Sequence, residues 1–260
     1  MYRNPLRKLR LLKEFRMSDV TTQVSASTDA LIREFDIIAH NLANVSTVGY
    51  KRMCNAFSKS LEEEGTGLQT YSPGTIDLTS AFDFSQGSLV ETGRPLDFAL
   101  YGRGFFVIET PEGPLYTRNG VFLTNQNGQI VDSAGRIVAG TAGPITIPSG
   151  VALSQLNIRS DGSISAGETV IGKFRLVDFQ DDENKLVPAG ENCYQMTDPD
   201  VTSIAAQNIV VKKGYQEASN VKMIDELVDM LMVARLYEAN MKSVTATQEA
   251  TSSILNVAMA

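Results

Sequence analysis

Apolar and polar positions follow a helical period at both ends of the chain and a strand-like period between them. Near the N-terminus, apolar or small residues recur at alternating spacings of four and three, which places them on one narrow stripe of a helix. This spacing predicts a helix over residues 18–45, and the exit segment that follows it ends at residue 52. The stripe consists of Val24, Thr28, Leu31, Phe35, Ile38, Leu42 and Val45.

The same spacing returns near the C-terminus, where residues 214–260 form the second predicted helical segment. A seven-residue repeat sustained for about five heptads favours a coiled-coil seam, and a single helix packed on its own domain is the alternative. We expect Ser219 or Asn220 to cap this helix, because short polar side chains bond the free amides of a first turn. The stripe consists of Met223, Leu227, Met230, Ala234, Tyr237, Met241, Val244, Gln248, Thr251, Leu255 and Ala258.

Between the helices, from residue 84 to residue 213, the period is two and turn signals are frequent, which indicates a β-rich domain. Dipeptides that favour tight turns occur at Asn119-Gly120, Asn127-Gly128 and Asp161-Gly162. The predicted strands cover residues 86–92, 96–101, 105–109 and 171–179, with a proline-flanked edge strand at residues 144–148.

Residues 53–83 follow neither period and are rich in Gly, Pro, Ser and Thr, so we predict a linker there. The predicted fold class is therefore mainly β with long terminal α-helices. We expect a β-rich central domain, and N- and C-terminal heptad helices that pair into a coiled-coil-like inner domain. A stripe of Leu, Ile, Phe and Met is unfavourable in water, where each such side chain forgoes about 1.5–3 kcal/mol of burial free energy. The two stripes can therefore pair with each other, with neighbouring subunits, or with both.

Residues 41–52, with the sequence NLANVSTVGYKR, mark the exit from the first helix. Asn41 and Asn44 carry short amides that can bond the free backbone groups at a helix end. Gly49 is suited to the positive φ that stops a helix, and Tyr50 offers an apolar body with a polar tip. Lys51 and the arginine after it place positive charge near the negative end of the helix dipole.

Composition and charge exclude several classes of function. The net charge of −7 argues against a nucleic-acid-binding protein, and the chain lacks the run of 18 or more apolar residues that a transmembrane helix needs. Charge is uneven, because residues 1–16 hold six basic residues and one acidic residue, while the remainder carries a net −12. Residues 1–17 therefore form a separate basic extension, for which a surface-binding amphipathic arm is one interpretation.

Few residues in the sequence point to catalysis or metal binding. Cys54 and Cys193 match neither a disulfide framework nor paired metal ligands, so we expect free thiols. His40 is the single histidine, and its isolation predicts a structural or exposed role. A hydrolase that uses Asp97 and Glu109 is an alternative, but the sequence shows no nucleophile beside a base. We therefore predict no enzyme activity, no cofactor, no metal and no small-molecule substrate.

Three stretches resemble the bacterial flagellar rod and hook proteins. The exit segment resembles their N-terminal signature, with Val48 standing where many members have proline. Residues 84–122 are similar to the start of the β-domain in flagellar rod proteins, and this long ordered match is the most specific. The segment from Ser219 resembles their C-terminal signature, although Ala234 replaces a common glutamine and Gln216 a usual apolar residue.

The resemblance implies a structural subunit of the flagellar basal-body rod, which assembles through its terminal helices into the tubular drive shaft that links motor to hook. It implies a location in the periplasm-spanning rod, and export by the flagellar type III apparatus. The implied partners are further copies of the chain and other rod and hook proteins, with no nucleic acid. The proximal-rod type is favoured over the distal-rod type. Family members begin nearer Met17, which implies that residues 1–16 result from an over-long start assignment.

Two other functions stay open at this point. One is a coiled-coil binding module that presents a β-domain without polymerising, and the other is a hook-type axial subunit. For the rod interpretation, we expect the assembly interface to include both signatures and both stripes. The predicted interface residues are Leu31, Phe35, Ile38, Asn41, Leu42, Asn44, Val45, Thr47, Gly49, Tyr50, Ser219, Asn220, Val221, Leu227, Met230, Ala234, Tyr237, Met241, Val244 and Leu255.

Overall fold

The computed structural model of the chain describes residues 25–55 and 80–259; the side chains of residues 80, 251 and 254–259 lie outside this description. The chain divides into a β-rich unit, Ala43–Val221, and a helical unit made of the chain up to Leu42 and from Lys222 onward. Three predictions fall outside the described residues: the basic extension 1–17, the start of the N-terminal helix at 18–24 and most of the linker, 56–79.

Nineteen short strands and two 3-10 turns make up the described part of the β-rich unit. The 3-10 turns are Leu153–Gln155 and Gln180–Lys185. The strands are β1 (Met53–Asn55), β2 (Ser80–Phe82), β3 (Leu89–Glu91), β4 (Phe98–Tyr101), β5 (Phe105–Thr110), β6 (Gly113–Thr117), β7 (Leu123–Thr124), β8 (Ile130–Val131), β9 (Ile137–Gly140), β10 (Gly143–Pro144), β11 (Leu156–Ile158), β12 (Ser163–Ala166), β13 (Thr169–Lys173), β14 (Leu176–Asp178), β15 (Leu186–Gly190), β16 (Cys193–Met196), β17 (Ile204–Ala205), β18 (Val210–Lys213) and β19 (Tyr215–Glu217).

The strands pair antiparallel. The largest sheet has the order β15-β16-β6-β5-β9-β8-β7, with β10 on β9, β14 on β5 and β17 on β14. Strands β11, β12 and β13 form a three-stranded sheet, and β1-β2, β18-β4 and β19-β3 form pairs. Strands from opposite ends of the sequence therefore meet, because β19 pairs with β3 and β18 with β4.

Strand β5 lies at the centre of the unit and is buried on both faces. Its residues Phe106 and Ile108 belong to the larger apolar cluster, whereas Phe105 and Val107 belong to a second cluster on the other side. Successive side chains of a strand point to opposite faces, so one strand can serve two cores. The sequence pattern predicted alternation of buried and exposed positions, but along the first four residues of β5 both faces are covered.

Helix α1 covers residues 25–43 of the described chain, and helix α2 covers Met223–Met259. Hydrogen bonds join them: Asn41 Nδ2 donates to Glu226 Oε2 at 3.3 Å, and Asn240 Nδ2 donates to Ser27 Oγ at 2.6 Å and to Thr28 Oγ1 at 3.4 Å. The C-terminal end of α1 thus meets the start of α2, so the helices run antiparallel at these contacts. Over the described residues, neither helix is long and apolar enough to cross a membrane.

The predicted fold class is confirmed as a β-rich fold with terminal helices, whereas pairing of the heptad stripes into a coiled coil stays a prediction. Two element assignments were wrong. Helix α2 begins at Met223 rather than at Ser219 or Asn220, because residues 215–217 pair as β19 and the chain needs a few residues to leave that strand. Residues 171–179 form two strands in different sheets, β13 and β14, because the chain breaks at the buried Phe174.

The turn predictions at Asn127-Gly128 and Asp161-Gly162 are confirmed, but the tight turn at Asn119-Gly120 is wrong. Gly120 instead allows a close backbone approach, since a Cβ there would lie 1.8 Å from the Phe98 carbonyl oxygen. Of the predicted edge strand at 144–148, only Pro144 belongs to a strand, β10, and Thr146 makes an isolated bridge. Within the predicted linker 53–83, β1 and β2 pair with each other. The proposed domain boundaries otherwise stay a prediction.

Candidate functional site

The N-terminal half of α2 exposes a run of large apolar side chains. Ile224 is 76% exposed, Leu231 is 61% exposed and Met232 is 60% exposed, where a soluble helix normally places polar residues. The other exposed apolar residues of this surface are Met223, Leu227, Val228 and Leu236. We call these seven residues the outer face of α2. Contiguous exposed apolar surface of this kind marks interaction sites in soluble proteins.

The outer face lies opposite the side of α2 that the chain itself covers. Successive residues of an α-helix turn by about 100°, so Ile224 and Leu231 point away from Glu226 and Val233. Glu226 and Val233 are buried, whereas the outer face is not. A helix that is apolar on both sides is suited to full burial among other helices. The covered side is satisfied within the chain, and the outer face requires a partner.

Three charged side chains meet inside the β-rich unit, and we call Lys51, Arg118 and Glu217 the buried ion cluster. The carboxylate of Glu217 accepts a hydrogen bond from Lys51 Nζ at 2.7 Å, and its second oxygen lies 3.5 Å from Arg118 Nη1. All three side chains are almost completely buried. Buried charges are costly unless they are paired, so this contact holds the three segments in a defined arrangement.

The backbone around the cluster joins the exit segment to the last strand of the unit. Gly49 N donates to the carbonyl oxygen of Glu217 at 2.7 Å. Gly49 has φ of 71°, which confirms the predicted positive value. A Cβ at this position would lie 2.5 Å from the backbone nitrogen of Asn119. Only glycine therefore fits both the conformation and the space.

The side-chain amide of Asn220 links three segments of the chain. Its Oδ1 accepts a hydrogen bond from the backbone nitrogen of Arg52 at 2.7 Å. Its Nδ2 donates to the carbonyl oxygens of Asp83 at 2.8 Å and Ser85 at 3.2 Å. The predicted helix-capping role of Asn220 is replaced by this bridge, which ties residues before β1, after β2 and after β19 together.

Burial sets the electrostatics of the cluster. Desolvation lowers the pKa of Lys51, and the nearby charge of Arg118 acts in the same direction, against the opposing effect of Glu217. Burial also lowers the pKa of Arg118, whose guanidinium carbon lies 5.4 Å from the centre of the Phe105 ring. Lys51 Nζ donates a second hydrogen bond to the Ser85 carbonyl oxygen at 2.6 Å. The expected role of Lys51 at the helix dipole was wrong, because its ammonium group is buried against Glu217.

The two carboxylates considered for catalysis are placed differently. Asp97 is buried, and its Oδ2 accepts hydrogen bonds from Thr92 Oγ1 at 2.6 Å and Gln216 Nε2 at 2.7 Å. Glu109 lies exposed at the end of β5. Gln216, which departs from the apolar residue usual in the resembling family, therefore supports Asp97. Among the described residues, no group of three or more His, Cys, Asp or Glu could hold a metal ion.

Both cysteines are buried and free of disulfides, as predicted. The Cys193 thiol lies 3.2 Å from Arg136 Nη2, and burial raises the pKa of this thiol. A buried thiol with a raised pKa is a poor nucleophile, so the described geometry gives it a packing role.

The family model for "Flagella basal body rod protein" matches residues 21–51. The models for "Flagellar hook protein FlgE/F/G D1 domain" and "Flagellar basal body rod FlgEFG protein C-terminal" match residues 99–166 and 212–257. The flagellar basal-body rod protein FlgG of Buchnera aphidicola is 35% identical over 246 residues, covering 85% of this chain and 92% of the relative. The chain belongs to the flagellar basal-body rod protein family.

Two further relatives of this rod-family chain carry another name. The flagellar basal-body rod protein FlgF of Caulobacter vibrioides is 33% identical over 225 residues, covering 84% of this chain and 89% of the relative. The FlgF protein of Salmonella typhimurium is 32% identical over 244 residues, covering 88% of this chain and 94% of the relative. The resemblance deduced from the three sequence stretches is therefore confirmed.

The buried ion cluster draws one residue from each of the three matched segments. Lys51 lies in 21–51, Arg118 in 99–166 and Glu217 in 212–257. Sequence analysis noted Lys51 but missed Arg118 and Glu217. The sequence offered one signal for these two residues, a charged side chain within an apolar or strand-like pattern. Such a signal can indicate a buried charge, but it does not reveal which charged side chains pair with each other.

The predicted interface residues of the rod-family chain fall into three groups, and their membership in an interface stays a prediction. Those buried are Ile38, Asn41, Gly49, Tyr50 and Val221. Those half-buried are Leu31, Leu42, Asn44, Val45, Thr47, Ser219, Asn220, Met230, Ala234 and Val244. Those exposed are Phe35, Leu227, Tyr237 and Met241, while the Leu255 side chain lies outside the described residues.

The Asn220 bridge of the rod-family chain allows a direct stability prediction. We expect Asn220→Ala to lower the free energy of unfolding by about 1–3 kcal/mol, because the Arg52 amide and the Asp83 carbonyl lose their partner. Urea denaturation followed by circular dichroism measures the change. Asn127→Ala, in an exposed turn, is the matched control and should be nearly neutral. Equal stability of the two variants would contradict the role of the bridge.

Proposed function

We propose that this chain is a structural subunit of the flagellar basal-body rod, and that it assembles through its terminal helices into the tubular shaft that links motor to hook. The outer face of α2 carries the proposal, because seven large apolar side chains on one helix surface require a partner. The relatives that align with most of this chain are named as flagellar basal-body rod proteins. The chain then works by assembly and carries no chemistry.

Burial by neighbouring copies accounts for the outer face in energetic terms. Each large apolar side chain contributes about 1.5–3 kcal/mol when it moves from water into a packed interface. A contact between two different surfaces of the same subunit does not close on itself and continues into a helical array. The partners we propose are therefore further copies of this chain and other rod and hook proteins, with delivery by the flagellar type III export apparatus.

Pairing of the terminal helices is part of this proposal. The hydrogen bonds between α1 and α2, which include those from Asn41 to Glu226 and from Asn240 to Ser27, support an antiparallel pair. Pairing would use the covered side of α2 and leave its outer face for other subunits. A position in the proximal rather than the distal part of the rod stays a prediction.

The proposal is tested by mass spectrometry of purified hook–basal bodies from the source cells. We expect this protein at many copies per basal body, and loss of motility when its gene is deleted. The same spectra show whether the mature chain begins at Met1 or near Met17. Absence from intact, functional basal bodies, together with a purified protein that stays monomeric with ordered helices, would favour the non-polymerising binding module.

A further inference from the structure

We propose that the buried ion cluster, with Glu217 at its centre, couples two segments of the chain, so that the exit segment and the last strand of the β-rich unit fold and open together as one cooperative unit. We call this coupling the latch. The part of the exit segment that is involved is residues 44–52, which follow helix α1, and the closing strand is β19 with the residues up to Val221. This inference concerns folding of the single chain and holds whether or not the chain enters a rod.

Contacts from three separate segments converge on Glu217. Its Oε1 accepts hydrogen bonds from Lys51 Nζ at 2.7 Å and from the backbone nitrogen of Gly87 at 3.0 Å. Its Oε2 faces Arg118 at 3.5 Å, and its carbonyl oxygen accepts from Gly49. Removing the exit segment would take away two of these contacts and leave a carboxylate in the interior beside one cation.

The charges in the cluster are unequal, and this makes the latch testable. The three side chains of the cluster sum to a charge of +1, since two cations share one carboxylate, while Asp83 acts on Lys51 and Glu183 and Asp178 act on Arg118 from outside it. Loss of the Glu217 charge would leave two buried cations facing each other. Loss of the Lys51 charge would leave a balanced pair of Glu217 and Arg118. Within the part of the chain that the structure describes, Arg118 Nε and Nη1 have no hydrogen-bond partner, so Arg118 has donors to spare for Glu217.

The two substitutions should therefore differ in size and interact with each other. Breaking a buried pair by removing one partner is strongly destabilising when it leaves an uncompensated charge. Glu217→Gln keeps the shape and removes the charge, so we expect a large effect. Lys51→Met removes one of the two cations that share a single carboxylate, so we expect it to destabilise the fold less. The double variant should be less perturbed than the two single effects combined, because it removes the repulsion between Lys51 and Arg118.

Amide hydrogen exchange of the full chain, followed by mass spectrometry, tests the latch. We expect Glu217→Gln to accelerate exchange at least about tenfold in peptides from both the exit segment and β19, while β5 peptides stay protected. Faster amide exchange in only one of the two segments would overturn the proposal. It would also be overturned if the factor by which exchange accelerates in the double variant were simply the product of the factors in the two single variants. If β5 also loses protection, the Glu217→Gln variant is unfolded as a whole and cannot test the proposal. The test is then the pH dependence of the stability of Lys51→Met.

The pH profile distinguishes charge from shape. The groups that face Lys51 are Glu217, Arg118 and Asp83, and burial among them lowers its pKa from 10.5. A lowered lysine pKa means that the folded chain binds fewer protons than the unfolded chain as pH rises toward 10.5, so folding gains stability over this range. We expect the urea midpoint of the natural chain to rise relative to that of Lys51→Met as the pH approaches 10.5 from below. Parallel profiles would show that Lys51 acts by shape only and would overturn the proposal.

Discussion

Leu231→Asp is expected to abolish assembly into the rod while the β-rich unit keeps its fold. Leu231 is 61% exposed on the outer face of α2, so the isolated chain loses little when this side chain changes. An aspartate in an apolar interface forgoes about 1.5–3 kcal/mol of burial free energy and also carries a charge that must be desolvated. The penalty recurs at each subunit contact in the shaft, so the effect on assembly is close to complete.

The measurement is a motility assay combined with the recovery of hook–basal bodies, and circular dichroism of the purified chain checks the fold. Val170→Asp is the matched control, because Val170 is 58% exposed but lies on β13 of the β-rich unit. We expect Val170→Asp to assemble normally. Normal rods and motility in the Leu231 variant would rule out the outer face as an assembly surface, and equal loss in both variants would show that the effect is not specific to α2.

The outer face also shows what the sequence could predict and what it could not. Periodicity predicted that α2 is a long helix and that its surface is needed for assembly. It did not predict which side the chain covers, because the first half of α2 is apolar on both sides. The predicted stripe includes Leu227 and Met241, which are exposed, while Glu226 and Val233 occupy the covered side. A periodic pattern identifies a preferred face only where the other faces are polar.

The buried ion cluster marks the second limit. Sequence analysis placed Gly49 correctly at a positive φ, because that requirement is local to the backbone. It gave Lys51 a local role at a helix end, whereas its partner Glu217 lies 166 residues away in sequence. Long-range charge pairs leave no periodic signal, so they become visible only when the strands that carry them are placed. The same holds for Asn220, whose partners lie just before β1 and just after β2.

Gly49→Ala is expected to open the exit segment and to cost the fold about 2–5 kcal/mol. Two effects combine: an alanine at φ of 71° is strained by about 1–2 kcal/mol, and overpacking adds about 1–3 kcal/mol. The overpacking is against backbone, since the added Cβ would lie 2.5 Å from Asn119 N and 2.8 Å from the Arg118 carbonyl carbon. Backbone cannot rotate away as a side chain can, so the segment must shift and weaken the Gly49–Glu217 hydrogen bond.

Gly93→Ala separates the two effects. Gly93 has φ of 70°, almost the value of Gly49, but a Cβ there would meet no atom within 4 Å in the described structure. Its substitution should therefore show the backbone strain alone, about 1–2 kcal/mol. Urea denaturation gives both free energies, and hydrogen exchange shows whether residues 44–52 open. If Gly49→Ala costs no more than Gly93→Ala, the close approach to Asn119 is not what requires glycine. A larger cost with faster exchange in the exit segment would establish that this contact holds the N-terminal signature of the chain in place.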